Sequence, residues 1–557
     1  MTESGATWQS GAITPAKLRA ERAAVTRQRL ISLTVALCIC ALVIGLQWAG
    51  GAYHTGFGAH PDEAAHYVTG LMVHDYIAAG FPGHPMRYAE KYYEHYPKVA
   101  LGHYPPGFYG FAAGWMLLFS PGRASTLIFL AAIASATAGL LYTCLRRELG
   151  IAVAIFGACA FLLLPLVQHY TQMVMADLLV AFFALGALTF AVRFLERERM
   201  MDAIGFGVLA SVTIMVKTSG LWLAPVPVLG ALLVGKPRLM RKFAFWVPAL
   251  IVVLLCAPWT LLTFGVMKAG MADRFSASYT SSALTYFSTG VVRQVGVVLL
   301  LLAAAGFVKE VILPLYRRQP VAPLAAVFGA MAVCVVSFHL LVPVGLEMRY
   351  LLPTFPAFLV FACAGLASLR DMIVRRSPDW GLPDGRAVGA ALVVAMGVVF
   401  LAEMFRVQRK ESPHFAALLP QVAAIPTSSE ILVSSDASGE GAFIAEVAMN
   451  ELRPGHIIRR SSKLLAKSDW MGRGYALQFA TVPELVAGLE TARIRSVLVD
   501  GTMPRSHRLP HHELMEAAII ANPERFLLKG SVGATYRDAL PAETARLYFI
   551  ALEEGMQ

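Results

Sequence analysis

The chain has 557 residues, 57% of them hydrophobic and only 15% charged, with a mean hydropathy of +0.59. Soluble domains carry about a quarter charged residues, so this composition excludes an ordinary soluble enzyme and predicts a polytopic membrane protein. The net charge of +11 is spread over short segments between apolar runs. It is not gathered with aromatics into a nucleic-acid-binding array.

Residues 1–28 read as a cytoplasmic tail, with Lys17, Arg19, Arg22 and Arg27 ahead of an apolar run over 30–49. That run is too long for a signal-peptide core and has no small-residue cleavage site after it. It predicts an uncleaved first span with its basic end in the cytoplasm.

The long loop 50–107 follows. Within it, His60-Pro61-Asp62-Glu63-Ala64-Ala65-His66-Tyr67 predicts a helix that starts at Pro61, where a missing N–H costs nothing, and runs to Ala79. Residues four apart share a helix face, so Asp62 aligns with His66 and Glu63 with Tyr67. One carboxylate can then serve as a base and the other as its support, in either order. A solvated helix start, with two acids favouring the helix dipole, is the plainer alternative. The loop also holds seven of the fourteen histidines: His54, His60, His66, His74, His84, His95 and His103. His and Asp at short spacing can bind zinc, but a His-Glu-x-x-His core is lacking and a metal is not the favoured reading.

Further apolar runs cover 107–120, 124–145, 150–168, 178–195, 203–217, 221–235, 243–266, 291–308, 321–343, 349–368 and 387–404. Several approach the ~20 residues needed to cross a bilayer. Basic clusters (Arg146 and Arg147; Arg193, Arg197 and Arg199; Lys236 to Lys242; Arg317 and Arg318; Arg370, Arg375 and Arg376) flank alternate gaps. All fall on the cytoplasmic side if the short run 107–120 is re-entrant, which leaves eleven crossings out of twelve runs. That parity puts the loop 50–107, Asp177, Lys217, Glu347 to Tyr350 and everything after about Phe405 outside the cytoplasm.

Residues 405–557 read as an extracytoplasmic α/β domain. Strands are expected at 431–435, 496–500 and 546–552, and helices at 442–452, 482–493 and 512–522. Asp436-Ala437-Ser438-Gly439-Glu440-Gly441 is either a tight turn or an anion cradle at a helix N-terminus. Cysteines Cys38 to Cys363 all lie in or beside apolar runs, so a disulfide framework is not expected after Glu403.

Asp177 opens an apolar run on the same outer face as Asp62. Lys217 and Arg349 are cations on that face, against the positive-inside trend. An anionic head group explains both, as does snorkelling to the interface.

Together these residues resemble the bacterial branch of the protein O-mannosyltransferase-like family, which includes the aminoarabinose transferases. The likeness rests on Pro61-Asp62-Glu63-Ala64 with Tyr67, Tyr104-Pro105-Pro106-Gly107, Asp177 before Leu178-Leu179, Lys217-Thr218-Ser219-Gly220, and Arg349-Tyr350-Leu351-Leu352-Pro353. It covers about residues 28–370. It implies a C-type glycosyltransferase-like domain over 29–404, with 11–12 transmembrane helices, in a bacterial inner membrane. It also implies that a sugar moves from a polyprenyl phosphate to a hydroxyl of a lipid, glycan or protein, outside the cytoplasm and with inversion. By the same resemblance Asp62 is the base, and Glu63 and Asp177 orient it or bind acceptor or sugar. Lys217 and Arg349 would hold the phosphate, and Tyr67, His103, Tyr104 and Tyr350 would line the substrate site. Some relatives carry Glu-Lys directly before Pro-Pro where this chain has His103-Tyr104.

The competing reading is a transporter or flippase for a lipid-linked sugar. That class favours internal repeats and mid-membrane charges, and here the acids sit at run ends with no repeat. A membrane scaffold leaves the acidic loop unexplained. A reporter fused after Arg406 is expected to read as extracytoplasmic and one at Arg318 as cytoplasmic; reversal at both sites would contradict the re-entrant assignment of 107–120.

Overall fold

A computed structural model describes residues 15–100, 102–269, 275–376, 385–469, 472–534 and 543–551. Among the described residues, seven helices are long and apolar enough to cross a membrane: Arg123–Leu149, Asp177–Arg197, Phe243–Ala269, Val297–Tyr316, Pro323–Leu341, Met348–Arg376 and Ala387–Met404. The chain is thus a multi-pass membrane protein. The run 150–168 is not one straight span. It forms Ile151–Leu163 and Pro165–Thr171, bent by 60°, because Pro165 cannot continue the hydrogen-bond ladder of the helix before it.

The remaining runs are the shorter apolar helices Leu33–Ala49, Gly107–Leu118, Met200–Val216 and Thr218–Leu233. Length alone supports seven or eight spans, and the eleven-crossing count adds the charge pattern to that. An additional helix, Ala277–Val295, lies where only an outer segment was expected. Gly296, at φ +83°, separates it from Val297, so the run taken as 291–308 starts later.

The basic clusters converge at one end of the bundle. Arg147 pairs with Glu196, and Glu198 takes both Lys236 and Lys242. Arg370 reaches the Leu149 carbonyl at 3.4 Å. The Asp177–Arg197 helix ends among these charges and begins, at Asp177, at the opposite end of the span. The spans Val297–Tyr316 and Met348–Arg376 cross closely: a Cβ on Gly306 would meet the Phe361 carbonyl oxygen at 1.9 Å, and one on Gly365 would meet that of Leu302 at 2.1 Å. Small residues at such crossings let membrane helices approach.

The loop after the Leu33–Ala49 helix carries two helices, Pro61–Ala78 and Pro85–His95. Each begins at proline, and His60 and His84 cap them by accepting from the N–H groups of Asp62 and Met86.

The C-terminal region is a mixed five-stranded sheet with helices. Its strand order is Ile457–Arg460, Glu430–Ser434, Ile494–Asp500, Thr544–Ile550, Phe526–Gly533. The first three strands are parallel, and Thr544–Ile550 runs antiparallel to both of its neighbours. Strands Ile457–Arg460 and Phe526–Gly533 were not foreseen, because short, arginine-ended or Gly-interrupted segments lose clean alternation. The expected helix at 442–452 starts earlier, at Ala437. The segment Asp436–Gly441 is therefore a capped helix start and not a tight turn. It is not an open cradle either: the Asp436 carboxylate already accepts from the Gly439 N–H at 2.8 Å, and a Cβ on Gly439 would strike Ser435 Oγ at 1.9 Å.

This domain is docked on the loop. A Cβ on Gly441 would meet the Ala64 Cβ at 2.9 Å, so the two helices touch almost backbone to backbone. Glu63 and Lys410, both fully buried, pair at 2.6 Å, and Glu63 also accepts from the N–H groups of Gly58 and Ala59. Arg123 reaches Glu446 at 3.0 Å, and Arg453 forks onto Asp75. Removing one partner of a buried pair leaves an uncompensated charge, at about 3–5 kcal/mol. Lys410→Met is therefore expected to lower the melting temperature sharply, and Glu63→Gln/Lys410→Met to recover most of the loss. Equal melting of single and double variants would contradict this.

Candidate active site

Five charged groups meet where the Pro61–Ala78 helix faces the starts of two spans. Arg349, 3% exposed, donates from Nη2 to Asp62 Oδ2 at 2.8 Å and to Glu347 Oε1 at 3.1 Å. Lys217 Nζ bonds Asp177 Oδ1 at 2.7 Å. The local sequence explains the convergence. Asp62 stands in a first helical turn; Asp177 begins a helix; Lys217 ends one, in extended backbone. Arg349 lies in a short 3-10 turn, Met348–Thr354, ahead of its span. Charges at helix ends reach the polar face without crossing the bilayer interior.

Tyr350 joins the two cations. Lys217 Nζ lies 4.8 Å and the Arg349 guanidinium 5.4 Å from its ring centre, and such cation–π contacts strengthen when desolvated. The Tyr104 hydroxyl donates to Asp62 Oδ2 at 3.1 Å. Burial, reinforced by Asp62, holds that phenol neutral, far above its ordinary range.

Asp62 itself is opposed by burial, which disfavours its charge. Arg349, His60 and His66 outweigh that and hold its carboxyl well below the usual range. His66 lies on the Asp62 face of the helix, as its spacing predicts, ringed by Tyr104, Phe108 and Tyr109. Burial pushes its imidazole down to about 4, so it is neutral near pH 7.

Glu63 and Tyr67 do not join this cluster. They occupy the other side of the helix: Glu63 holds Lys410, and Tyr67 packs on Phe57 and donates to the Pro121 carbonyl. The 100° step between neighbouring helical residues separates them from Asp62. The structure therefore places Glu63 and Tyr67 away from the Asp62–Arg349 cluster, against the C-terminal domain and the loop. His103 flanks Tyr104, and its backbone N–H bonds the Ala100 carbonyl.

Glu347 was missed as a site residue. It pairs with Arg349 at 2.7 Å and with His60 at 3.2 Å. Its spacing two residues before Arg349 was the available signal. Among the described residues no group of three or more His, Cys, Asp or Glu is placed to hold a metal ion. Among the loop histidines, His60 and His84 cap helices, and His95 reaches the Gly455 carbonyl of the C-terminal domain at 2.9 Å.

Residues 103–262 match the family model of dolichyl-phosphate-mannose-protein mannosyltransferase. The fold is shared with ArnT from Cupriavidus metallidurans bound to undecaprenyl phosphate, at 14% identity over 94% of this chain and 98% of that one, with a TM-score of 0.57. It is shared too with the oligosaccharyltransferase AglB from Archaeoglobus fulgidus, in complex with an inhibitory peptide and a dolichol-phosphate. There the identity is 11%, over 94% of this chain and 76% of that one, with a TM-score of 0.53. The chain has the fold of these two membrane proteins. The resemblance read from the motifs is borne out. A comparison with curated proteins by sequence finds no match.

The charge pairing has a pH signature. Asp62 has a depressed folded pKa, so its stabilisation is present above its unfolded pKa and is lost as pH falls through the folded one. In Arg349→Gln, burial acts on Asp62 without its main counter-charge. That variant's melting deficit against the parent is expected to be largest near pH 7 and to shrink towards pH 4, as Asp62 takes up a proton. A deficit independent of pH would contradict the pairing.

Proposed function

We propose that the protein transfers a sugar from a polyprenyl-phosphate donor to an acceptor hydroxyl, at the extracytoplasmic face of a bacterial cytoplasmic membrane and with inversion. The observation that carries the reading is the convergence of two buried cations with ionised carboxylates at the bundle end opposite the basic clusters. Arg349 Nη1 has no hydrogen-bond partner among the described residues, so it is a ready donor to a phosphate oxygen. Undecaprenyl phosphate and dolichol-phosphate bound to proteins of the same fold support a donor of this class.

Asp62, its side chain 21% exposed, accepts the proton of the acceptor hydroxyl. The acceptor oxygen attacks the anomeric carbon from the face opposite the phosphate. The carbon–oxygen bond to the phosphate breaks, and its electron pair leaves with the polyprenyl phosphate, so no general acid is obligatory. Lys217 and Arg349 stabilise the charge that develops there. Arg349 can grip two phosphate oxygens in a fork, which Lys cannot do.

Arrival of the phosphate also draws Arg349 away from Asp62. Burial then dominates the carboxyl and makes it more basic, so the donor itself readies the base. Glu63 acts at one remove, by fixing the helix that carries Asp62 against the C-terminal domain.

Deletion of the gene is expected to remove one sugar from an envelope lipid, glycan or protein, and the parent gene to restore it. Asp62→Asn, expressed and inserted normally, is expected to lose about 10²–10⁴ in transfer rate and to fail to restore the sugar. Full restoration by Asp62→Asn would remove it as the base.

A further inference from the structure

His339 is a buried titratable group that this mechanism leaves unused. It lies near the end of the Pro323–Leu341 span, 1% exposed. Its ring stacks on that of Tyr350, with centroids 5.0 Å apart and planes 9° from parallel. Phe338 and Phe287 pack around it. Among the described residues neither Nδ1 nor Nε2 has a hydrogen-bond partner. The charges acting on it are Lys217 and Asp177, and Asp177 Oδ2 is likewise buried without a partner.

Unpaired buried polar atoms are rare and costly. An apolar ring of the same shape would stack on Tyr350 without that cost. Keeping an imidazole here makes sense if a ligand completes it. The unmet groups limit what a ligand there can be. Asp177 Oδ2 can only accept, and neutral imidazole offers one donor and one acceptor. A phosphate only accepts and cannot satisfy Asp177. A sugar hydroxyl both donates and accepts.

Resting on the glycosyl-transfer reading above, we propose that His339, with Asp177 Oδ2, forms the subsite that binds hydroxyls of the donor's sugar ring beside the phosphate-holding cations. Tyr350 links the two halves, since it contacts Lys217 and Arg349 as well as His339.

The test compares dolichyl-phosphate-mannose with bare dolichyl phosphate, titrated into the full chain in nanodiscs. The parent is expected to bind the mannose-bearing lipid about tenfold more tightly. His339→Phe keeps the stacked ring and removes both nitrogens. It is expected to melt no lower than the parent, to bind the bare lipid equally well and to lose most of the preference for mannose. His339→Gln, which keeps a donor and an acceptor, is expected to recover part of that preference. Three results would overturn the subsite: an unchanged preference in His339→Phe, no preference in the parent, or a destabilised His339→Phe that still discriminates. Failure of the parent to bind either lipid refutes the donor reading itself, and the subsite with it.

Discussion

The architecture depends on keeping charge at the end of an apolar bundle without leaving it unpaired. Arg349 and Lys217 are both nearly buried, and a bare cation there would cost several kcal/mol. Each is matched by a carboxylate from a different element, Asp62 from the loop helix and Asp177 from a span. The two pairs join four elements: the Pro61–Ala78 helix to the Met348–Thr354 turn, and the Asp177–Arg197 span to the end of the Met200–Val216 helix. The same arrangement sets up chemistry. On the proposed donor reading, a phosphate binding these cations competes with the carboxylates, and a carboxylate that loses its cation becomes more basic.

The loop helix is held from behind as firmly as from the front. Glu63 and Lys410 form a second buried pair on its far side, and the contact between Gly441 and Ala64 leaves no room for a side chain. Asp75, Tyr92, Arg453, Tyr96 and Glu451 continue this seam through shared hydrogen bonds. The C-terminal domain therefore acts on the site by fixing the direction in which Asp62 points. Adjacent acids thus take different partners: Asp62 faces Arg349, and Glu63 anchors the helix on Lys410.

Much of this was legible in the residues. Long apolar runs require membrane helices, and the alternation of arginine clusters places their ends. The i, i+4 spacing put Asp62 and His66 on one face, and Pro61 marked the start of the first loop helix. What failed depends on partners distant in sequence. Nothing local shows that Glu63 meets Lys410 across 347 positions, so Glu63 read as part of the site. Glu347 stood beside a recognised arginine, but its contact with His60 appears only in three dimensions. His339 sits in a uniformly apolar span, where a lone histidine ordinarily reads as packing. Its significance lies in hydrogen bonds it does not make, which a sequence cannot display. The bend at Pro165 and the helix Ala277–Val295 escaped for another reason: hydropathy averages over a kink, and a helix rich in serine and threonine has little apolar signal.

The central claim is that a lipid phosphate takes Lys217 and Arg349 from the carboxylates that now hold them. The most direct measurement is the affinity of bare undecaprenyl phosphate for the parent, Lys217→Ala and Asp177→Asn in nanodiscs. Competition for the cation predicts opposite effects: weaker binding without Lys217, and tighter binding once the carboxylate charge of Asp177 is gone. Equal affinity in all three proteins would contradict the account.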